Sequence, residues 1–406
     1  MCADLSRAVE RLGSIGSQDA LIFLRASFGT PKVQHLLRCS PSLNHPALQR
    51  FDDLLKSGVQ QITNSDLSAT QWVQASLPIK DGGMGIRRVS SLALSAFLAS
   101  AASTLSLQNH LLADCQVLDD AHMLEYLETW SKEFGSPPDP LPTKQSSWDR
   151  PRVLLDRAVV ESSLHTAFQK ASFLAASAAH SGDWMFALPI TACGLRLDDE
   201  AVRVAVGLRL GSNLCVPHSC RCGALVDAMG LHCFVCKRSP GRTSRHHALN
   251  DVVARALASA GIPAVKEPHG LSRMDGKRPD GLTLIPWKTG KPLTWDVTVA
   301  ATLASSYVGS TSRTAGAAAE LADIRKSAKY ANLEATHFFQ PLAFETHGAM
   351  NQSAVDFFSD LGLKISLLSG DRLEGRFLFQ RLSVLIQRFN AILLHDSFII
   401  TDILRN

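Results

Sequence analysis

The chain has 406 residues, a length that predicts two or three domains, with 46% apolar and 19% charged residues, enough to bury a real core. The formal charge of +4 permits a nucleic-acid partner without requiring one, because solubility alone accounts for it. The opening MCADLSRAVERLG is charged from the start and offers no signal-peptide core. The longest apolar stretch, Ser91–Leu107, is interrupted by serines and falls short of the about 20 apolar residues of a membrane span. A nuclear or cytosolic protein with no membrane partner is expected.

Residues 1–135 read as helical. Ala20–Phe28, Pro46–Ser57 and Val89–Leu107 carry apolar residues at three- and four-residue spacing, and the Pro and Gly residues of Leu77–Ile86 mark a turn. Ser136–Arg150 holds four prolines and is expected to be a linker over 136–150. A helical connector is expected over 151–214, with its helices between Val153 and Leu210, then a zinc knuckle over 215–240 and a last domain over 241–406. Within that domain the expected order is a helix at Arg245–Ala260 and short strands at Ile262–Pro268, Gly281–Pro286 and Pro292–Val299. A helix at Ala315–Leu333, a strand at His337–Phe344 and helices near Gln352–Leu361 and Arg376–His395 follow. The fold class expected is therefore α+β, and neither a repeat nor a low-complexity tract interrupts it.

Nine cysteines is a high count. Cys2, Cys39, Cys115 and Cys193 are scattered, whereas Cys215, Cys220, Cys222, Cys233 and Cys236 fall within 22 residues. In a reducing compartment such clustering points to metal rather than to disulfides. Cys220 and Cys222 on one turn, with His232 and Cys236 one helical turn apart, can supply the four thiolate and imidazole ligands of a structural Zn²⁺. The C-x-C start is tighter than the usual spacing, and it leaves Cys215, His218 and Cys233 as alternatives. The competing reading is a set of buried free thiols in a helical protein.

Asp280, in Lys277-Arg278-Pro279-Asp280, and Asp296, in Trp295-Asp296-Val297, sit on expected neighbouring strands separated by a turn at Trp287–Gly290. Antiparallel pairing brings such carboxylates together, and paired carboxylates suit Mg²⁺, which takes hard oxygen ligands. Two residues after Asp296, where a lysine is expected, the chain has Thr298. Lys326 and Lys329, three residues apart on one helix face, are the candidate cations, and Asp251 is a candidate additional acid.

Helix, three strands, helix, strand, with Pro-Asp followed by a second acid, resembles the PD-(D/E)xK nuclease core. The order of knuckle, Arg245-His246-His247, Lys277–Asp280, Trp295–Val299 and Lys326…Tyr330 resembles the restriction-like endonuclease of non-LTR retrotransposons over about residues 215–345. Gln74–Pro78 with Gly82–Ile86 is similar to the thumb and connecting linker that follow the reverse transcriptase palm. The palm itself has no counterpart, since Phe51-Asp52-Asp53 lacks the setting of an F/Y-x-D-D box. What the resemblance implies is the C-terminal part of a retrotransposon polyprotein that nicks DNA to expose a priming 3′-hydroxyl and does not polymerise by itself. Asp280 and Asp296 would hold Mg²⁺, while Lys326 or Lys329 would orient water or stabilise the transition state. Arg242, Arg245, Lys277 and Arg278 would contact phosphates of DNA, with RNA as a second partner. A catalytically inactive, zinc-containing nucleic-acid-binding remnant is the alternative.

Overall fold

The computed structural model describes residues 1–111, 120–271 and 277–399; Cys115 lies outside them. The chain divides into two units, Met1–Ser163 and Leu164–Asn406.

The first unit is helical: α1 (Cys2–Leu12), α2 (Ser17–Phe23), α3 (Thr30–Cys39), α4 (Pro46–Thr63), α5 (Ala69–Ser76), α6 (Val89–Leu111), α7 (Ala121–Phe134) and α8 (Gln145–Ser162). Leu5, Val9 and Leu12 of α1, and Phe51, Leu55, Val59 and Ile62 of α4, recur at helical spacing and are buried. The carboxylate of buried Asp52 accepts the N–H groups of Val89 and Ser90, which fixes the start of α6. The turn expected at Leu77–Ile86 is present: Gly83 lies so close to the chain that an added Cβ would sit 2.0 Å from the Leu77 carbonyl oxygen. Ala20–Phe28 is not one uniform helix, because Leu24–Phe28 is wound as a π-helix after α2.

The expected linker at 136–150 is corrected by the structure. Its last residues open α8, and Trp148 is 1% exposed, edge-on to Trp130 at 5.2 Å. Trp148 Nε1 donates to the Pro142 carbonyl at 2.6 Å, Asp149 takes a two-pronged contact from Arg87, and Arg150 pairs with Asp81. Those long-range contacts outweigh the local Pro-rich composition, and α8 belongs to the first unit.

The second unit holds α9 (Ala167–Ala176), α10 (Asp199–Leu210), a small hairpin of β1 (His218–Ser219) and β2 (Leu225–Val226), α11 (Gly241–Ser259), β3 (Ala264–Lys266), β4 (Gly281–Lys288), β5 (Lys291–Ala300), α12 (Val308–Thr311), α13 (Ala317–Tyr330), β6 (Phe338–Glu345), α14 (Gln352–Ser369) and α15 (Glu374–His395). The larger sheet runs β3-β4-β5-β6; the first three strands are antiparallel and β6 lies parallel to β5, with α13 in the crossover. Thr289 and Gly290, both at positive φ, make the two-residue β4–β5 turn.

The pleat of β5 sorts its residues. Leu293, Trp295 and Val297 enter a core with Leu249, Val253 and Leu257 of α11, Phe358 and Leu361 of α14, and Leu382 of α15. On the other face Ala319 and Ala322 of α13 meet Ala343 of β6, and such small residues let the helix approach closely. The fold is thus α+β, with the expected order of helix, three strands, helix, strand. By length and composition α6 and α15 could cross a membrane; half of the α6 stretch and 67% of the α15 stretch are buried inside the protein.

Candidate functional site

The knuckle is built on two glycines at positive φ, Gly223 at 91° and Gly230 at 66°. Gly223 follows the C-x-C pair and lets its N–H return to the Cys220 carbonyl at 2.7 Å; Cys236 N–H donates to the His232 carbonyl at 2.9 Å. The result gathers Cys220, Cys222, His232 and Cys236, whose ligand atoms all lie within 4.8 Å of one another. Cys220 Sγ is 3.9 Å from Cys236 Sγ, and Cys222 Sγ is 3.1 Å from His232 Nε2. A tetrahedron with metal–sulfur bonds of about 2.3 Å has edges of roughly 3.8 Å, so the donor set fits a metal ion.

The three alternatives are occupied elsewhere. Cys215 Sγ points at the Asp227 carbonyl, His218 hydrogen-bonds Ser397 and stacks on Phe398, and Cys233 is fully buried, its thiol pushed up to about 12 by that burial. Within the set, the Ala224 N–H, with help from the neighbouring thiols and His232, holds Cys222 down to about 6, while burial raises Cys220 to about 11.

The carboxylates sit at the β4–β5 pairing. Asp280 immediately precedes β4; its N–H donates to the Trp295 carbonyl at 2.9 Å, and its carbonyl accepts Glu267 N–H at 2.9 Å. Asp280 Oδ2 takes the Val297 N–H at 2.6 Å and faces His246 Nε2 at 3.0 Å. Asp296, 3% exposed in the middle of β5, accepts Lys326 of α13 at Oδ1. Two acids and two bases, from α11, the residue before β4, β5 and α13, therefore form one cluster joined through the backbone at Val297. The hydrogen bond to Asp280 raises the His246 pKa against the effect of burial, and the charges of Asp280 and Asp296 add to that rise. Among the described residues, Asp280 Oδ1 and Asp296 Oδ2 accept no hydrogen bond, so each carboxylate keeps one oxygen for a ligand.

Trp295 and Asn250 hold this geometry. Asn250 Nδ2 donates to the Asp280 carbonyl at 3.2 Å and its Oδ1 accepts Trp295 Nε1 at 2.8 Å. The indole packs against Gly281, where an added Cβ would stand 1.9 Å from the ring.

The remaining named residues fall into place around it. Lys329 donates to the Tyr330 hydroxyl, which in turn donates to the Arg278 carbonyl. Asp251 pairs with Lys266 of β3 at 2.6 Å rather than joining the Asp280–Asp296 cluster. Arg278 pairs with Glu267, Lys277 is exposed, and Arg242 reaches back to the Val235 carbonyl. Arg245 is a correction: at 3% exposed, it faces the interior and not a phosphate. It stands four residues before buried Leu249, on the core stripe of α11, and burial lowers it to about 10. His246, one residue on, is the α11 side chain that reaches Asp280. Its signal was the i, i+4 spacing of His246 and Asn250, two polar side chains beside an apolar stripe.

No protein-family model matches the chain, and no curated protein matches it.

Proposed function

We propose that the chain is a Mg²⁺-dependent phosphodiester hydrolase that nicks DNA, built on a PD-(D/E)xK-like core beside a structural Zn²⁺ knuckle. The observation that carries this reading is the joining of Asp280 and Asp296 across Val297 N–H, with Lys326 on the second acid. The donor set fits: two carboxylates from neighbouring strands each keep one oxygen, as a hard cation that retains several waters requires. Bound there, Mg²⁺ would supply Lewis acidity, a more acidic water and charge neutralisation at the scissile phosphate.

The chain's own groups do the rest. Lys326 keeps a positive charge beside Asp296, where negative charge develops on the phosphate in the transition state. His246 fixes Asp280 through Oδ2 and leaves its other oxygen directed elsewhere. Exposed Lys277, with Arg242 and Arg278, supplies phosphate contacts that position a strand without reading its sequence. Cys220, Cys222, His232 and Cys236 would hold Zn²⁺ with four protein ligands, which leaves no position for substrate and makes the ion structural.

The resemblance to the endonuclease of non-LTR retrotransposons supports the same reading: a nuclear, retroelement-derived fragment acting on DNA, with RNA as a second partner. Supercoiled plasmid incubated with the full chain tests it. Mg²⁺-dependent conversion to the nicked circle, abolished in Asp280→Asn and Asp296→Asn, is the expected result. Plasmid binding with no nicking by the wild-type chain at any Mg²⁺ concentration would leave a zinc-containing nucleic-acid-binding remnant instead.

A further inference from the structure

α11 presents His246 to the Asp280 cluster on one face and lines a separate cavity on another. Arg255 is nine residues from His246, two and a half turns along the helix, so the two side chains leave opposite sides. On that second side lies a cavity of about 500 Å³, walled by α11, α14, α15 and the short turn Thr191–Cys193. Its size is that of small-molecule sites.

The lining is chemically divided. Arg255, Arg381 and Arg388 face it, against a single acid, Glu374. Among the described residues none of the three guanidinium groups makes a salt bridge: Arg255 donates to the Asp251 carbonyl, and Arg388 to the carbonyls of Gly194 and Arg196. Arg388 thereby ties the rim turn to α15, and burial lowers its pKa. The floor is apolar, made by Val252, Leu378 and Leu385, each under 10% exposed. Cys193 stands exposed at the rim.

Three planar cations against one carboxylate select an anion, and guanidinium forks match the oxygens of a phosphate group. Glu374 and the apolar floor reject a ligand that is anionic throughout. They suit one with a charged end, a flat apolar body and hydroxyl or amino donors. We propose that this cavity binds a nucleoside monophosphate unit, its phosphate on Arg255 and Arg381 and its body over Val252, Leu378 and Leu385. The unit is either a free nucleotide or the 5′-phosphorylated end of a strand. The site is independent of the nuclease reading.

Calorimetric titration of the full chain, without added Mg²⁺, tests this with adenosine monophosphate, a 5′-phosphorylated trinucleotide and inorganic phosphate. At least one of the first two should bind, at least tenfold more tightly than inorganic phosphate. Arg255→Ala and Arg381→Ala, at exposed positions that leave the fold intact, should each weaken it at least tenfold, whereas Asp280→Asn should not change it. Bound ligand should also slow alkylation of Cys193, read by mass spectrometry. Tighter binding of the mononucleotide assigns the site to a free nucleotide, and tighter binding of the trinucleotide to a strand end; both support the proposal. It is overturned if neither binds at millimolar concentration, if both arginine variants bind as the wild type does, or if inorganic phosphate binds as tightly.

Discussion

Lys326 on α13 donates to Oδ1 of Asp296 on β5, while Lys329, one turn later, donates to the hydroxyl of Tyr330. Sequence spacing left the two lysines equivalent, and the packing of α13 on the sheet separates them. Lys326→Ala should lower Mg²⁺-dependent nicking by about a hundredfold, the scale of one lost transition-state contact, and Lys329→Ala by no more than a few-fold. Lys326→Ala also strands a buried carboxylate, at a cost of about 3–5 kcal/mol. The double variant Asp296→Asn/Lys326→Met should recover stability in denaturant without recovering nicking. Equal losses in the two alanine variants would remove the distinction.

Trp295 and Gly281 face each other across the β4–β5 pair, and this contact sets the height of Asp280. Gly281→Ala would force the indole off its place, breaking its bond to Asn250 and with it the hold on the Asp280 carbonyl. Overpacking of this kind costs about 1–3 kcal/mol. Nicking should fall while metal content at the knuckle is unchanged; wild-type nicking in a folded Gly281→Ala protein would contradict the assigned role.

At the knuckle, Cys220, Cys222, His232 and Cys236 converge and Cys215 and Cys233 do not. Metal analysis should give about one zinc per chain, since thiolate-rich tetrahedral sites favour that ion. Cys222→Ser should abolish or sharply weaken retention, and Cys215→Ser and Cys233→Ala should keep it. Zinc retained in Cys222→Ser but lost in Cys233→Ala would reassign the ligand set.

The Pro-rich segment before α8 offers a sharp test, because a linker and a core element respond differently. Trp148→Ala removes a side chain that is 1% exposed and packed on Trp130. Large-to-small changes at buried tryptophan cost about 3–5 kcal/mol, whereas a linker position would change stability by roughly 0.5 kcal/mol or less. Urea denaturation of the first unit reads the difference, and a near-zero effect would restore the linker.

What sequence made legible here was periodic or chemically clustered. The helices beginning at Pro46 and Val89, the antiparallel β4–β5 pair and the Cys/His set all rest on local spacing. What it did not show depends on partners distant in the chain. Trp148 needs Trp130 and Pro142, and the choice of Lys326 needs the small-residue contact of Ala319 and Ala322 on Ala343. Arg245 is the instructive middle case. Its place on the stripe with Leu249, Val252 and Ala256 was readable as burial, but its charge argued for a phosphate and misdirected the reading.

His347, just after β6, is buried at 5% exposed; among the described residues its ring hydrogen-bonds only neutral hydroxyls, those of Ser172 and Thr346, at 3.4 Å. Burial without a carboxylate partner lowers its pKa to about 4, from an ordinary value of 6.5. The sign follows from which state takes the proton. Well above pH 6.5 both folded and unfolded forms are neutral and His347 contributes no pH dependence. Between pH 6.5 and 4 the unfolded chain binds a proton that the folded chain refuses, so stability falls with pH. From pH 7.5 to 5 that loss is about 2 kcal/mol, at about 1.4 kcal/mol per unit of pKa difference. Glu345, whose carboxyl is raised by burial, works in the opposite direction, but it is present in both proteins compared. His347→Gln keeps a polar side chain and deletes the titration. Its unfolding free energy, measured in urea for the second unit, should fall by about 2 kcal/mol less than that of the wild type over this interval. Parallel pH profiles for the two proteins would show that the imidazole is solvated or protonated in the folded state.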